Sequence, residues 1–326
     1  MKFPDVTIVT SCYYFHNEFK TRTQTEIKES IDVILQLPVY LVIYTDSIFY
    51  SIIQKKRQEL GFEDQTKIIN MPFDTLWAAQ YLSQVALNRQ KYHPTKDERN
   101  CPSTHCIQCN KFDFVLQVMD ENPFETSKFG WLDGFVGKNG KFRIYQGDDY
   151  IDKFVSTLNN IGDNYRIMIL NVNDKEFKKE IHKKEYYKKY RYVVCGGFFT
   201  CGKEKGIPIL NRLKELFVQT TNLGYGHGDE MLYLEVLDEF YDTIDRTYGD
   251  YHYILNNFIE PTFNLTYIYK NIIYNYLRFD YIKECNKCCE TVLEANKNKI
   301  MQSKGVNMLY NKLCDIYIKT CDFTSN

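Results

Sequence analysis

The stretch Phe129-Gly130-Trp131-Leu132-Asp133-Gly134-Phe135 decides the fold class of this chain. It is an apolar run, as expected of a strand buried on both faces, and it ends at one carboxylate followed by glycine. Open α/β sheets bind ligands at the carboxyl ends of their strands, which makes Asp133 a candidate ligand-binding residue. The alternative interpretation is an ordinary turn after a strand, where Asp-Gly is common.

Around this stretch, apolar runs alternate with helical patterns over the first 200 residues. The strand-like runs cover 6–11, 39–45, 67–71, 129–132, 166–172 and 192–199. Helical spacing of apolar residues covers 26–37, 50–60, 74–85 and 111–119. Because strands separated by helices usually pair in parallel, this order predicts an α/β fold with a mainly parallel sheet flanked by helices.

The pattern changes after Pro261, where helical segments follow one another without strands. These segments cover 267–276, 281–295 and 308–320. We therefore expect an α/β domain at residues 1–260 and a small C-terminal α-helical appendage at 261–326.

Charge and composition limit the partners that this chain is expected to have. Its 41 basic and 42 acidic residues give a net charge of −1, which argues against bulk attraction to nucleic acid or anionic membranes. No secretory signal is recognised, and no apolar run approaches the roughly 20 residues that span a bilayer. Eleven cysteines without such a signal indicate reduced thiols. We expect a cytoplasmic protein with no nucleic-acid partner and no transmembrane segment.

Two glycine-containing segments carry further candidate residues. Gly196-Gly197 lies in the apolar run at 192–199, where missing side chains leave room for a substrate or a β-bulge. Downstream, the loop that contains His227 delivers Asp229 and Glu230 to the first turn of a predicted helix. These acids are either helix caps or groups that deprotonate or anchor a substrate hydroxyl.

Histidine and cysteine residues offer possible metal ligands. His252 is a candidate partner for Asp133 in a divalent metal site. Four possible zinc ligands lie within nine residues, in what we expect to be a loop: Cys101, His105, Cys106 and Cys109. A third group, Cys285, Cys288 and Cys289, shares one face of a predicted helix, where buried thiols are the expected state.

Several short segments, taken in order, carry a family resemblance. They are Val6-Thr7-Ile8-Val9-Thr10-Ser11, Val42-Ile43-Tyr44-Thr45-Asp46, Arg57, Lys111-Phe112, Trp131-Leu132-Asp133-Gly134, Gly196-Gly197-Phe198 and Gly228-Asp229-Glu230. Over roughly residues 5 to 258 the chain resembles the HtrL/YibB-like proteins of bacteria and large viruses. Members of that family look like GT-A-type glycosyltransferases, which have a Rossmann-like fold. For a viral member, the expected location is the host cytoplasm or the virion.

The resemblance implies roles for most of these residues. Those implied to bind the sugar donor are Thr10, Ser11, Tyr44, Asp46, Arg57, Lys111, Trp131 and Asp133. Asp133 would also hold Mn²⁺ or Mg²⁺, which neutralises the departing nucleoside diphosphate. Gly196 and Gly197 would border the acceptor, and Asp229 or Glu230 would deprotonate its hydroxyl or orient the donor sugar.

One departure from the wider GT-A pattern concerns the metal. Many such enzymes carry Asp-x-Asp, whereas this chain has Trp131-Leu132-Asp133. With a single carboxylate, a cationic side chain is an alternative neutraliser of the diphosphate, and the candidates are Lys111, Arg57 and Lys203.

The favoured prediction is a glycosyltransferase that moves a sugar from a nucleoside-diphosphate sugar, preferably UDP-linked, to a hydroxyl of a glycan, lipid-linked or protein acceptor. The alternative is a non-catalytic α/β binding or scaffold protein with a zinc-stabilised cysteine-rich loop. A different Rossmann-like enzyme, such as a hydrolase, is disfavoured because the chain has no dinucleotide fingerprint, Walker loop or nucleophile elbow.

Overall fold

The computed structural model contains one seven-stranded sheet with helices on both faces. It describes residues 3–15, 23–91, 101–136, 148–170, 186–188, 192–225, 228–249, 254, 268–278, 280–296 and 304–324. The strands are β1 Val6–Cys12, β2 Tyr40–Thr45, β3 Thr66–Asn70, β4 Lys128–Leu132, β5 Tyr165–Ile169, β6 Val194–Gly202 and β7 Ile244–Tyr248. Their order across the sheet is β3-β2-β1-β4-β6-β5-β7.

Ten α-helices lie in the described residues. They are α1 Gln24–Leu35, α2 Ser47–Glu59, α3 Leu82–Lys91, α4 Pro102–Glu121, α5 Tyr150–Asn159, α6 Lys203–Asn222, α7 Tyr233–Glu239, α8 Tyr274–Arg278, α9 Ile282–Asn296 and α10 Lys304–Thr324. Short 3₁₀ turns at Phe73–Thr75, Trp77–Tyr81 and Glu230–Leu232 precede α3 and α7.

The sheet is mainly parallel, which confirms the predicted fold class. Strand β1 pairs in parallel with β2 and β4, and β5 pairs in parallel with β7. Only β6 runs against its neighbours β4 and β5 among the described strands. The first residues of β6 therefore lie beside the last residues of β4, and this reversal determines which side chains meet at the site.

Alternating side chains divide the core into two layers, one on each face of the sheet. Val9 and Trp131 point into the layer that contains α4 and α6, where Phe114 and Leu213 are fully buried. Ile8 points into the opposite layer, against α1, α2 and α5. Burial on both faces explains why the central strands β2 and β4 are mostly apolar.

The cysteine-rich segment corrects one prediction. Within the described residues, the stretch that starts at Cys101 is helical rather than a loop, and α4 begins nine residues earlier than the predicted 111. Pro102 occupies the first turn, where its missing N–H and fixed φ are favourable. Cys106 and Cys109 then point into the core and are fully buried.

The C-terminal helices pack on the far edge of the sheet. Tyr276 of α8, Cys288 of α9 and Leu313 of α10 belong to the same buried cluster as Tyr248 of β7. The predicted helical appendage is confirmed as helices, and it shares its core with the sheet. None of the described helices is both long and apolar enough to cross a membrane.

Candidate functional site

Three predicted segments meet at the carboxyl edge of the central strands. The Asp133 N–H, just after β4, donates a 2.8 Å hydrogen bond to the Gly197 carbonyl in β6. Gly134 lies against β1 so closely that a Cβ would stand 2.5 Å from the Ser11 carbonyl oxygen. The Asp-Gly pair therefore joins β1, β4 and β6, and only glycine permits that approach.

Behind this edge lies a buried polar group that we call the Gly196 cluster: Lys111, Asp229, Glu230 and the backbone of Gly196. The Lys111 Nζ donates to the Gly196 carbonyl at 2.7 Å and forms an ion pair with the Asp229 carboxylate. The Gly196 N–H donates to Glu230 Oε1 at 3.2 Å. Both polar groups of one backbone residue are thus held by side chains that lie 85 and 34 residues away along the chain.

The absence of a side chain at Gly196 makes the cluster possible. A Cβ there would lie 2.9 Å from Lys111 Nζ and 3.1 Å from Glu230 Cγ, and closer still to Asp229 Oδ2. The pairing of β6 with β5 is irregular over the same stretch, with a register shift between Ile167 and Ile169. A β-bulge can redirect backbone groups out of the sheet. The two interpretations offered for Gly196-Gly197, a bulge and a part of the site, are therefore compatible.

The electrostatics of the cluster concentrate on Glu230. Burial, followed by the charges of Asp229 and Asp133, raises the pKa of Glu230 to about 8, although the Gly196 N–H and the Lys111 ammonium oppose the rise. Its Oε2 is buried and has no hydrogen-bond partner among the described residues. A carboxyl group with a pKa raised in this direction is a candidate general acid or base.

Asp229 does not act as the helix cap that sequence alone offered as an alternative. It immediately precedes the Glu230–Leu232 turn, but its side chain makes no capping hydrogen bond. Instead it lies 3% exposed against the Lys111 ammonium. A buried carboxylate is costly unless a cation and hydrogen bonds compensate for its lost hydration, and Lys111 supplies the cation.

Asp133 is half-buried at the edge of the sheet. Its Oδ1 accepts the Phe135 N–H at 2.9 Å, which is the turn geometry of the alternative interpretation. Its charge also contributes to the raised pKa of Glu230, which places it near the Gly196 cluster. Asp133 therefore closes the turn and lies at the predicted ligand-binding edge.

The remaining residues predicted to bind the donor lie in different places. Ser11 is buried at the end of β1, whereas Thr10 points into the opposite layer with Ile8. Asp46, at the end of β2, caps α2 by accepting the Ile48 N–H at 2.9 Å. Ser11 and Asp46 lie at the carboxyl edge.

Two aromatic residues predicted to bind the donor are core residues. The Tyr44 ring stacks on Phe114 at 4.0 Å, and its hydroxyl donates to Gln117 Oε1 at 3.2 Å. Trp131 is 3% exposed, and its Nε1 has no hydrogen-bond partner in the described part of the chain. Tyr44 therefore packs against α4 and does not face the carboxyl edge. The indole N–H of Trp131 is buried two residues before Asp133.

Arg57 was predicted to face the nucleotide, and the structure corrects this. It lies at the opposite, amino-terminal edge of β2 and is 1% exposed. Its guanidinium donates to Thr66 Oγ1 and to three backbone carbonyls, those of Leu35, Leu37 and Val39. Arg57 therefore fastens the connection between α1 and β2.

Lys203 also lies at that opposite edge. It follows Gly202, which pairs with Lys128 at the start of β4. Of the three cations proposed to neutralise a diphosphate, only Lys111 belongs to the candidate site, and its ammonium is paired with Asp229.

The described residues do not fit a metal set. Among them, no group of three or more His, Cys, Asp or Glu side chains is arranged to hold an ion. Cys106 and Cys109 belong to the core, and the His105 ring packs 5.6 Å from that of Phe217. The Asp229 carboxylate, which could have completed a divalent set with Asp133, is paired with Lys111. His227 and His252 lie outside the described residues.

Three tyrosines that support the site were not predicted from the sequence, because they are hidden among the 27 tyrosines of the chain. The Tyr186 hydroxyl donates to the Met231 carbonyl at 2.9 Å and so holds the turn that carries Glu230. Tyr165 and Tyr233 share a 2.5 Å hydrogen bond between their hydroxyls in the layer behind Asp229. No local sequence pattern distinguishes these three from the other tyrosines.

Comparisons with known proteins find similarity only among solved structures. The chain is similar to mouse xyloside xylosyltransferase 1, with 15% identity, a TM-score of 0.39, and coverage of 73% of this chain and 83% of that chain. It is also similar to 4-diphosphocytidyl-2C-methyl-D-erythritol synthase from Anaerococcus prevotii, with 11% identity, a TM-score of 0.37, and coverage of 79% and 95%.

No protein-family model matches the chain, and no curated protein matches it. The resemblance to the HtrL/YibB-like proteins therefore stays a prediction. We take the function from the geometry of this chain.

Proposed function

We propose that this protein is a GT-A-like glycosyltransferase that moves a sugar from a nucleoside-diphosphate sugar to an acceptor hydroxyl. One observation carries the proposal: Asp133, Gly196, Asp229 and Glu230 converge at the carboxyl edge of the central strands, around a carboxyl group with a raised pKa. This is the edge at which open α/β sheets bind nucleotides, and buried groups with shifted pKa values cluster at functional sites.

In this proposal Glu230 is the general base. The acceptor oxygen attacks the anomeric carbon of the donor sugar, and the bond from that carbon to the nucleoside diphosphate breaks. The acceptor proton passes to the Glu230 carboxylate as the new glycosidic bond forms. With a pKa of about 8, part of the Glu230 population is ionised near neutral pH, and this carboxylate is a stronger base than an ordinary one, as a catalytic base requires.

Asp133 and Ser11 are proposed to line the donor side of the site. Both lie at the ends of parallel strands, and the contact of Gly134 with the Ser11 carbonyl fixes their relative position. Gly196 and Gly197 are proposed to border the acceptor side, because the missing side chain at Gly196 lets Glu230 and Lys111 reach the backbone there. The steps proposed here use only the protein's own residues, because those described do not fit a divalent metal.

The finer assignments rest on the family resemblance. They are a UDP-linked donor, a glycan, lipid-linked or protein acceptor, and membership of the HtrL/YibB-like family. The resemblance also implies Mn²⁺ or Mg²⁺, for which the described residues offer no group of ligands. A cytoplasmic location is proposed on a different ground, the eleven cysteines interpreted as reduced thiols.

The proposal is tested by measuring release of nucleoside diphosphate from a panel of nucleotide sugars, with and without Mn²⁺ or Mg²⁺. We expect turnover of at least one donor, and a loss of about 100-fold or more in Glu230→Gln. Glu204→Gln is the matched control, because that carboxylate is exposed on the first turn of α6. Neither turnover nor thermal stabilisation with any nucleotide would instead favour the non-catalytic scaffold protein.

A further inference from the structure

Lys111 is the one buried cation of the Gly196 cluster, and its surroundings differ from those of a ligand-binding lysine. Its side chain is 3% exposed and the Asp229 side chain is 5% exposed. The ammonium already contacts two oxygens, on Asp229 and on Gly196. A lysine that neutralises a diphosphate has to present its charge to the ligand, whereas this charge is used inside the protein.

Lys111 and Glu230 hold the same backbone residue from its two polar ends. Lys111 binds the carbonyl of Gly196, and Glu230 accepts its N–H. Asp229, which pairs with Lys111, directly precedes Glu230 in the chain. A displacement of Lys111 would therefore move both Asp229 and the Gly196 strand that positions Glu230.

We propose that Lys111 is a positioning residue: it locks Asp229 to the Gly196 carbonyl, so that Glu230 alone exchanges a proton with the acceptor. The exchange of a proton with an acceptor rests on the proposed function. The positioning of Asp229 and Gly196 by Lys111 does not depend on it. The Asp229 carboxylate lies beside a cation, whereas Glu230 Oε2 has no hydrogen-bond partner among the described residues. Burial without a paired cation favours the protonated form of Glu230.

The groups that influence Glu230 come from several elements. Asp229 and Asp133 add negative charge, and Lys111 adds positive charge. The thiol of Cys195 and the hydroxyl of Tyr233 also lie within electrostatic reach. Burial keeps these two groups protonated by raising the pKa of each. Burial is also the largest cause of the raised pKa of Glu230, and the charges of Asp229, Lys111 and Asp133 then adjust it.

The first test needs no substrate, since it follows the stability of the intact chain against pH. Asp229→Asn removes a negative charge and leaves Lys111 free to pair with Glu230. Ionisation of Glu230 lowers the free energy of unfolding as pH rises. We expect the midpoint pH of that decrease to fall by at least about one unit in Asp229→Asn. Lys111→Met is expected to move that pH upwards. The matched control is Lys214→Met, because Lys214 pairs with Asp113 at 2.5 Å elsewhere in the same layer.

Unchanged midpoints in both cluster variants would overturn the inference, as would an equal shift in Lys214→Met. If Lys111→Met alone does not fold, the double variant Lys111→Met with Asp229→Asn removes the pair as a neutral unit and is expected to fold. Failure of the double variant together with an unshifted midpoint in Asp229→Asn would also overturn the inference.

The second test separates positioning from direct binding of the donor. We expect Lys111→Met to lower kcat by about 100-fold and to leave KM for the donor within about 3-fold. A raised KM with unchanged kcat would show that Lys111 contacts the diphosphate, and would overturn the inference. If the wild-type protein turns over no nucleotide sugar, the proposed function fails, while the stability midpoints still decide the role of Lys111.

Discussion

Replacement of Glu230 by glutamine tests whether the buried carboxyl group carries a proton in the folded protein. Glutamine keeps the shape of the side chain and an oxygen that can accept the Gly196 N–H, but it cannot ionise. The pKa of Glu230 rises from 4.5 to about 8 on folding, mainly because the group is buried. At about 1.4 kcal/mol per pKa unit, this rise means that the free energy of unfolding decreases by roughly 5 kcal/mol between a pH below 4.5 and a pH above 8.

The direction of the pH effect follows from proton binding. Between about pH 4.5 and pH 8, the folded protein holds a proton on Glu230 that the unfolded chain has released. The folded state binds more protons in this window, so stability falls as pH rises and is fully reduced above about pH 8. Below the unfolded pKa, both states are protonated and the contribution is constant.

The assay is urea unfolding at about pH 5, 7 and 9 for the wild type, Glu230→Gln and Glu204→Gln. We expect the wild type and Glu204→Gln to lose several kcal/mol across this range, and Glu230→Gln to lose much less. At the highest pH, Glu230→Gln should be the most stable of the three. Equal pH dependence in all three proteins would refute a protonated Glu230.

Two further substitutions test the packing that positions the site. Gly196→Ala should destabilise the fold by about 1 to 3 kcal/mol in urea unfolding, because its Cβ would overlap Asp229. In the control Gly162→Ala the nearest atom to the new Cβ would be 3.9 Å away, so stability should change by less than about 0.5 kcal/mol. Arg57→Met should lower the free energy of unfolding by roughly 3 to 5 kcal/mol, because backbone carbonyls are left unpaired, and should leave nucleotide affinity unchanged in calorimetry. Lys56→Met breaks a more exposed ion pair and should lower it by less than about 1 kcal/mol. A loss of affinity in Arg57→Met, or equal destabilisation by the two glycine substitutions, would contradict these assignments.

The parallel strands could be predicted from the sequence where their apolar residues are nearly continuous, as in Tyr40–Thr45. Strand β7 was missed because its segment Ile244–Tyr248 contains Asp245 and Arg246, which hide its period. The guanidinium of Arg246 is satisfied by backbone carbonyls such as those of Tyr241 and Ile244, so the charge is compatible with burial. Such pairing depends on tertiary structure and leaves no local pattern.

In the site, too, the residues with a local sequence pattern were predicted and those placed by tertiary contacts were not. Glycine pairs and isolated acids pointed to Asp133, Gly196 and Glu230, since their chemistry is visible in the sequence. Arg57 was misplaced because its role came from the family resemblance alone, and a charged residue in a predicted helix looks the same in sequence whether it faces a ligand or a set of backbone carbonyls. The reversed direction of β6, which brings Gly196 beside Asp133, follows from strand pairing and not from local periodicity.

The central claim is that a nucleoside diphosphate binds at the carboxyl edge formed by β1, β4 and the start of β6. Hydrogen-exchange mass spectrometry with and without a saturating nucleoside diphosphate tests it directly. Our account predicts slower exchange in peptides covering 11–13, 133–136 and 194–197, and no change around Arg57 at the opposite edge. Protection confined to that opposite edge, or no protection anywhere at saturation, would contradict it.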